Sequence, residues 1–340
     1  MCYELVAQFK RTEIGMDKVI DPRPQPRDAP IDLSLRPRTL EEYIGQPPMI
    51  RRLNIAIQAA KTRGEAVTHI LFHGGPGLGK TTIASLIAKA MGSQFHRTSG
   101  PALKGTYDVL GVLTSLGPRD VLFIDEIHRI PNVIEEFLYP AMEDYHVDFL
   151  VDKGLAAKTV TVPLPSFTLV GATTRAGALS APLRDRFGIV CRMEYYSVEE
   201  LTRIIRRSAG LLRIEIMDED AMEIARRARG TPRIANRLLM RVRDYWTSEG
   251  GGPPLGPSRI TITGILEEAF ALEGVDERGL DDLDRRYIDC IKRLYKGGPV
   301  GIEALAASLN ESRETLEDMV EPYLLHLGLI TRTPRGRRAI

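Results

Sequence analysis

The sequence predicts an α/β protein: a domain on a parallel sheet, a helical lid domain, and a C-terminal winged helix. Three observations predict it. A glycine-rich turn joins an apolar run to a helical pattern at His69–Thr82, HILFHGGPGLGKTT. Short apolar runs ending in polar residues recur at Val121–Ile124 and Phe167–Ala172. From Ser197 onward the pattern is helical, and the chain finishes in short strands around a basic turn.

The first of these carries the chemistry. Gly74-x4-Gly79-Lys80-Thr81 is a complete phosphate-binding loop, with a strand before it (Ile70, Leu71, Phe72) and a helix after it (Ile83, Ala84, Leu86, Ile87, Ala90). Glycines let consecutive backbone N–H groups curl around a polyphosphate. The helix that follows aims its positive end at the same anion. Lys80 is placed to neutralise the outer phosphates and the Thr81 hydroxyl to sit on Mg²⁺. The chain therefore binds a nucleoside triphosphate.

Composition bounds the rest. The chain has 340 residues, 43% apolar and 27% charged, as in a globular protein of two or three domains. A net charge of +1 supplies no global attraction to nucleic acid, so any such affinity needs a local patch. Cys2, Cys191 and Cys290 stand apart, which argues against disulfides and zinc. No apolar run approaches the ~20 residues of a membrane span, and the N-terminus lacks a signal-peptide core. A cytoplasmic protein is expected, with no membrane partner.

Residues 1–30 read as a flexible extension, because Asp21-Pro-Arg-Pro-Gln-Pro-Arg-Asp28 cannot form helix. A helical pattern with Leu53, Ile57 and Ala60 on one face runs to about Arg63. The run Val121–Ile124 delivers Asp125 and Glu126 to a strand end. Asp125 suits Mg²⁺, and Glu126 suits orienting or deprotonating the attacking water. Residues 146–165 alternate weakly about Gly154 and read as a hairpin, either a connecting ribbon or a docking arm. Thr173-Thr174 closes the next strand, where hydroxyls suit a γ-phosphate sensor or an ordinary turn. Arg184 and Arg186 in PLRDRFG could be a solvated face or could meet a γ-phosphate, often that of a neighbouring subunit. Arg233 opens a helix, where a cation is unfavourable unless an anion is near. Thr247–Ser258 is a loop by composition. In the tail, Arg332, Arg335, Arg337 and Arg338 cluster with no acid beside them in the sequence, on a solvated terminus or on a wing against DNA phosphates.

These segments resemble the RuvB family, AAA+ P-loop ATPases that drive branch migration of Holliday junctions. The likeness runs from about Leu33 to the C-terminus through SLRPRTLEEYIGQ, GPGLGKTT, LFIDEIHR, LYPAMEDY, FTLVGATTRAG, APLRDRFG, RARGTPRIANRL, GGPVG and RTPRGR. It implies ATP and Mg²⁺ as cofactors. It implies nucleotide contacts at Leu35, Arg36, Gly77, Lys80, Thr81, Thr82, Glu143, Asp144, Tyr145, Arg186, Tyr196 and Arg233, with Thr81 and Asp125 toward the metal. Glu126, Thr174 and Arg186 take the catalytic roles of base, sensor and arginine finger, and Arg233 that of a second sensor. Arg313, Arg332 and Arg337 fall on DNA-contacting positions. The implied partners are double-stranded DNA at a Holliday junction, a RuvA-like protein on the 146–165 hairpin, a RuvC-like resolvase, and five further copies in a homo-hexamer. The implied domains are residues 31–196, 197–273 and 274–340. Gly75 departs from the proline usual in the family, the first ~30 residues and the 247–258 loop are extra, and the chain stops sooner after RGRR than many relatives. Other classes remain: a clamp-loader-like ATPase acting on protein, opposed by the basic wing, or a nucleotide-dependent DNA-binding switch, which needs neither Glu126 nor Arg186.

Overall fold

The computed structural model describes residues 19–23, 34–150, 159–251 and 265–340. The chain divides into two compact units: Leu35–Glu200, and Leu201–Ile340 together with the residues up to Ser34. The tip of the 146–165 hairpin and most of the 247–258 loop lie outside the described residues.

In the first unit, helix α1 (Pro47–Arg63) buries Met49, Leu53, Ile57 and Ala60. Proline at its start lacks only an N–H that had no partner anyway. Gly64 ends it in the left-handed region, its N–H donating to Ala60 and Lys61 carbonyls. Five parallel strands follow, in spatial order β2-β3-β6-β1-β7: β1 (Ile70–His73), β2 (Phe95–Ser99), β3 (Val121–Asp125), β6 (Thr168–Thr173) and β7 (Ile189–Arg192). Central β3 and β6 are buried nearly throughout, as a sheet covered on both faces requires. Helix α2 (Lys80–Met91) packs Ile83, Ala84 and Ile87 against this sheet. Helices α3 (Thr106–Thr114) and α4 (Asn132–Glu143) enclose a second layer of core with Leu113, Ile134, Leu138 and Phe167. Strands β4 (His146–Leu150) and β5 (Thr159–Pro163) pair antiparallel, so a hairpin does stand where the alternation predicts one.

In the second unit, α6 (Val198–Leu211, following the short α5 at Ala181–Asp185), α7 (Asp218–Arg227), α8 (Pro232–Trp246) and α9 (Leu266–Leu272) form the lid. Helix α8 runs on as a π turn through Thr247–Gly251, where a loop is expected from composition. Within it the Thr247 and Ser248 hydroxyls donate back to Arg243 and Tyr245 carbonyls. The winged helix comprises α10 (Asp282–Asp289), α11 (Ile302–Leu309), α12 (Arg313–Thr315) continuing by a π turn into α13 (Glu321–His326), and the hairpin β8 (Ile330–Thr333) with β9 (Gly336–Ala339). Arg229, buried two residues beyond the lid's second helix, reaches Asp284 of α10 and donates to the Gly279 carbonyl at 2.6 Å. Its guanidinium also lies over the Tyr323 ring. Lid and winged helix are thereby tied by a buried ion pair.

The expectation of a flexible extension fails at residues 19–23. Val19 and Ile20 are buried. Arg237 donates to the backbone carbonyls of Asp21 and Arg23, and Arg233 to that of Pro22 at 2.5 Å. A proline-rich strip has no ladder for its carbonyls, and two arginines on one helix face supply the donors instead.

His69, just before β1, ties three segments together. Its Nδ1 accepts from the Leu169 N–H at 2.8 Å, so the ring proton sits on Nε2, 2.9 Å from the Met142 carbonyl. Burial holds this imidazole below its ordinary value of 6.5. The unfolded chain thus takes up the proton first as pH falls, and His69 contributes its stability above pH 6.5 and loses it on acidification. Between about pH 7 and pH 5 the unfolding free energy from denaturant titration should fall more steeply for the wild type than for His69→Gln, by up to ~1.4 kcal/mol per pH unit. Parallel pH dependences would exclude this role.

Candidate functional site

Strand β1 ends at His73, and the chain then turns through Gly74–Gly79 into α2. The turn demands glycine at its two ends. Gly74 has φ 148°, and a Cβ there would lie 2.5 Å from the Met193 carbonyl oxygen; Gly79 precedes the helix at φ 102°. Gly75, where the family usually has proline, keeps an ordinary φ. Lys80 is 6% exposed, and its Nζ donates to the Gly74 and Gly75 carbonyls at 2.8 Å each. A buried ammonium is thus held in the curve of the loop, with the α2 N-terminus behind it. Thr81 and Thr82 occupy the first turn of that helix.

Pairing fixes what faces the loop. Strand β6 lies between β1 and β3, with His73 opposite Thr173 and Ile124 opposite Gly171. Asp125, Glu126 and Thr174 therefore leave the sheet at the same carboxyl edge as the loop. Burial and the neighbouring Glu126 charge push the Asp125 carboxyl up, while Lys80 and Arg97 oppose them. Burial works against the Glu126 charge too, but hydrogen bonding from His128, the Lys80 charge and Thr174 leave this carboxyl below its ordinary value. Two adjacent carboxylates and a threonine hydroxyl form an oxygen-only donor set beside a lysine, which suits Mg²⁺ carried on a polyphosphate. Thr174 donates to Glu126 Oε2 at 3.1 Å, whereas Thr173 is fully buried and bonded to His128. The two threonines thus separate: Thr174 faces the carboxylate, and Thr173 is a strut.

Tyr196 flanks the other side of the loop. Its hydroxyl donates to the Leu78 carbonyl at 3.2 Å and lies 2.7 Å from the Tyr43 hydroxyl. Burial pushes Tyr43 up to about 12 and Tyr196 well above the ordinary value, so both hydroxyls stay protonated. Leu35 is buried and Arg36 half-buried in the same unit.

Four of the expected nucleotide contacts stand elsewhere. Glu143 ends α4 and Asp144 and Tyr145 follow it, and Tyr145 packs edge-on against His69 and Phe167, which precede β1 and β6. Arg186 precedes β7, whose Ile189 pairs with Ile70, the first residue of β1. In a parallel sheet these are amino-edge positions, opposite the phosphate loop. Arg186 lies 3.2 Å from Glu143 and stacks over Tyr139 at 4.0 Å.

The remaining candidates belong to the second unit. Arg233 begins α8 and meets Pro22, as described. On the wing, Arg332 and Arg337 pair across β8 and β9. Like charges opposite one another repel, and Glu321, fully buried, lies with both: Arg337 Nε donates at 2.8 Å and Arg332 Nε at 2.6 Å. The Tyr287 hydroxyl donates to the same carboxylate at 2.6 Å. Arg337 and Arg313 also meet Glu317, and Arg313 meets Glu303. The cluster that has no acid beside it in the sequence thus acquires two in space, Glu317 from the π turn and Glu321 from the start of α13.

Comparison with known proteins covers the same three regions. Residues 35–193 match the model of the Holliday junction DNA helicase RuvB P-loop domain, 196–253 the RuvB AAA lid domain, and 277–340 the RuvB C-terminal winged helix domain. The solved Thermotoga maritima RuvB Holliday junction branch migration motor is 47% identical, with a TM-score of 0.80 over 90% of this chain and 96% of that one. The chain belongs to the RuvB family. Two substituted forms of the same Thermotoga maritima RuvB align as well, at 47% and 46% identity, each with a TM-score of 0.81 over 90% of this chain and 95% of theirs.

Five contributors are not singled out by the sequence: Tyr43, His128, and the wing carboxylates Glu303, Glu317 and Glu321. Tyr43 and His128 lie inside the RuvB motifs LEEYIGQ and DEIHR, but their partners are remote along the chain or on another strand. Gly45 tests the tyrosine pair. It sits at φ 91°, and a Cβ there would lie 2.4 Å from the Tyr196 ring. Gly45→Ala should displace Tyr196 and weaken binding of a fluorescent ADP analogue by about tenfold, ~1.4 kcal/mol. Gly64→Ala, whose added Cβ meets nothing within 4 Å, should not. Equal affinities would remove Tyr196 from the site.

Proposed function

We propose that this chain is the ATP-driven motor of Holliday junction branch migration in recombination and DNA repair, working as a homo-hexameric ring in the cytoplasm. Lys80, Thr81 and Thr82 hold the phosphates of ATP, Thr81 and Asp125 hold Mg²⁺, and Glu126 directs the attacking water. Mg²⁺ would supply charge neutralisation on the β- and γ-phosphates. Leu35, Arg36 and Tyr196 take the nucleoside side, and Thr174 and Arg233 read the γ-phosphate. A RuvA-like protein docks on the β4–β5 hairpin, whose Phe149 carries the exposed Tyr107 edge-on at 5.1 Å beside exposed Val160. A RuvC-like resolvase can join the same junction.

The observation that carries the ring is the division of the candidate residues between the two edges of one sheet. Lys80, Asp125, Glu126 and Thr174 are at the carboxyl edge, and Arg186 and Glu143 at the amino edge. An arginine on the far edge completes a site only in a neighbouring copy. Lys80→Ala and Arg186→Ala should each abolish DNA-stimulated ATP hydrolysis, and mixing the two should restore part of it, because mixed rings contain interfaces with Lys80 from one copy and Arg186 from the next. No recovery on mixing, with ring formation intact, would mean that each site is built within one chain.

The wing arginines separate by exposure. Arg332 is 47% exposed, whereas Arg337 is 15% exposed between Glu317 and Glu321. Arg332→Ala should leave the melting temperature near that of wild type and reduce the salt dependence of duplex binding by about 0.9 in the log–log slope, one phosphate contact. Arg337→Ala should lower the melting temperature as well. An unchanged slope for Arg332→Ala would take that side chain off the DNA.

A further inference from the structure

The RuvB motif DEIHR contains a histidine to which none of the roles above gives a task. His128 lies in the 3₁₀ turn Ile127–Arg129 that follows β3, and its side chain is largely buried. Glu126, immediately before this turn, adopts a left-handed conformation (φ 47°, ψ 49°). That conformation is uncommon for a residue with a Cβ and costs of order 1 kcal/mol. It turns the carboxylate off the strand direction and brings Oε2 to 3.2 Å from His128 Nδ1.

The proton on this imidazole can be assigned from its neighbours. Nδ1 faces two oxygens, Glu126 Oε2 at 3.2 Å and Thr173 Oγ1 at 2.9 Å. An unprotonated Nδ1 would set its lone pair against a carboxylate, so the hydrogen belongs on Nδ1, where the two oxygens share it. Thr173 Oγ1 is fixed in turn by the Arg175 N–H, which donates to it at 3.0 Å. Strand β6, its following turn and the buried threonine therefore hold the imidazole, and the imidazole holds the carboxylate.

The same carboxylate oxygen has a third neighbour. Thr174 donates to Glu126 Oε2 through its hydroxyl at 3.1 Å and its N–H at 3.4 Å. A threonine hydroxyl has one proton. If Thr174 reads a γ-phosphate oxygen, that proton is no longer available to Glu126. The side-chain donor that stays with Glu126 is then His128, beside the longer contact from the Thr174 N–H.

We propose that His128 is the positioning residue for Glu126. Its Nδ1–H, propped by Thr173, keeps the carboxylate aimed while the Thr174 hydroxyl turns its single hydrogen bond from Glu126 to the γ-phosphate. The inference rests on Glu126 being the base of the proposed ATPase. It adds a residue that touches neither nucleotide nor water and acts only through that carboxylate.

The test uses the full chain with circular duplex DNA, measuring kcat and KM for ATP, affinity for a fluorescent ADP analogue, and melting temperature. His128→Ala should lower kcat by ten- to a hundredfold while KM and ADP affinity stay within about threefold of wild type. His128→Asn places an amide N–H close to where Nδ1 stood, and should recover kcat to within about threefold of wild type. Glu126→Gln should abolish turnover, and Glu126→Gln with His128→Ala should be no slower than Glu126→Gln alone. Should His128→Ala melt early, His128→Asn still decides: a folded Asn variant as slow as Glu126→Gln overturns the proposal. Wild-type kcat in a folded His128→Ala also overturns it while leaving Glu126 as the base. Normal turnover by Glu126→Gln would instead remove the base assignment, and the role of His128 with it.

Discussion

A parallel sheet has two chemically unlike edges, and the rest of this molecule depends on that polarity. Every strand of the five-stranded sheet points its carboxyl end the same way, so whatever follows a strand gathers on one side. The glycine loop follows β1, the acidic pair follows β3, and the threonine pair closes β6. Three segments distant along the chain thus meet without any long-range element designed to join them. What precedes a strand gathers on the opposite side, which is where Arg186 lies with Glu143. Separating the two sets by the length of a strand makes the chemistry of each copy depend on its neighbour, on the reading proposed above.

Within the carboxyl edge, the charges are arranged as a chain of compensations. Lys80 sits in the loop's own carbonyls, its charge favours ionisation of Asp125 and Glu126, and His128 and Thr174 hydrogen-bond the second of these. In a poorly solvated site each of these groups would be costly alone. Together they hold two carboxylates close to an ammonium with little freedom to rearrange. Such preorganisation is what transition-state stabilisation by fixed dipoles requires.

Much of this was legible in the sequence, and the reasons differ by element. The loop from Gly74 to Thr81 was plain because its backbone conformations admit few residues: φ at Gly74 and Gly79 lies where side chains are strained. The strand ends at Asp125 and Thr174 were legible because apolar runs stop there. The hairpin at 146–165 followed from alternation, although its tip lies beyond the described residues. What could not be read are contacts made across the sheet or between distant helices. Nothing in one dimension places Thr173 behind His128, or Glu321 between Arg332 and Arg337. The anchoring of residues 19–23 was hidden for a similar reason. Proline content argues against helix but says nothing about two arginines more than two hundred residues away that can satisfy an irregular backbone.

The carboxylates beneath the wing bear on the rate at which a duplex is met as well as the strength with which it is held. Arg313, Arg332 and Arg337 each have an acidic partner, so their charges largely cancel beyond a few ångströms, and the chain as a whole carries only +1. Long-range attraction needs uncompensated charge, and these side chains provide little. Meeting a phosphate then amounts to exchanging one anion for another, with a small net change on arrival and on departure. A surface of this kind resists capture by stray polyanions and releases a backbone readily, which suits a protein that must let go of DNA as often as it takes hold.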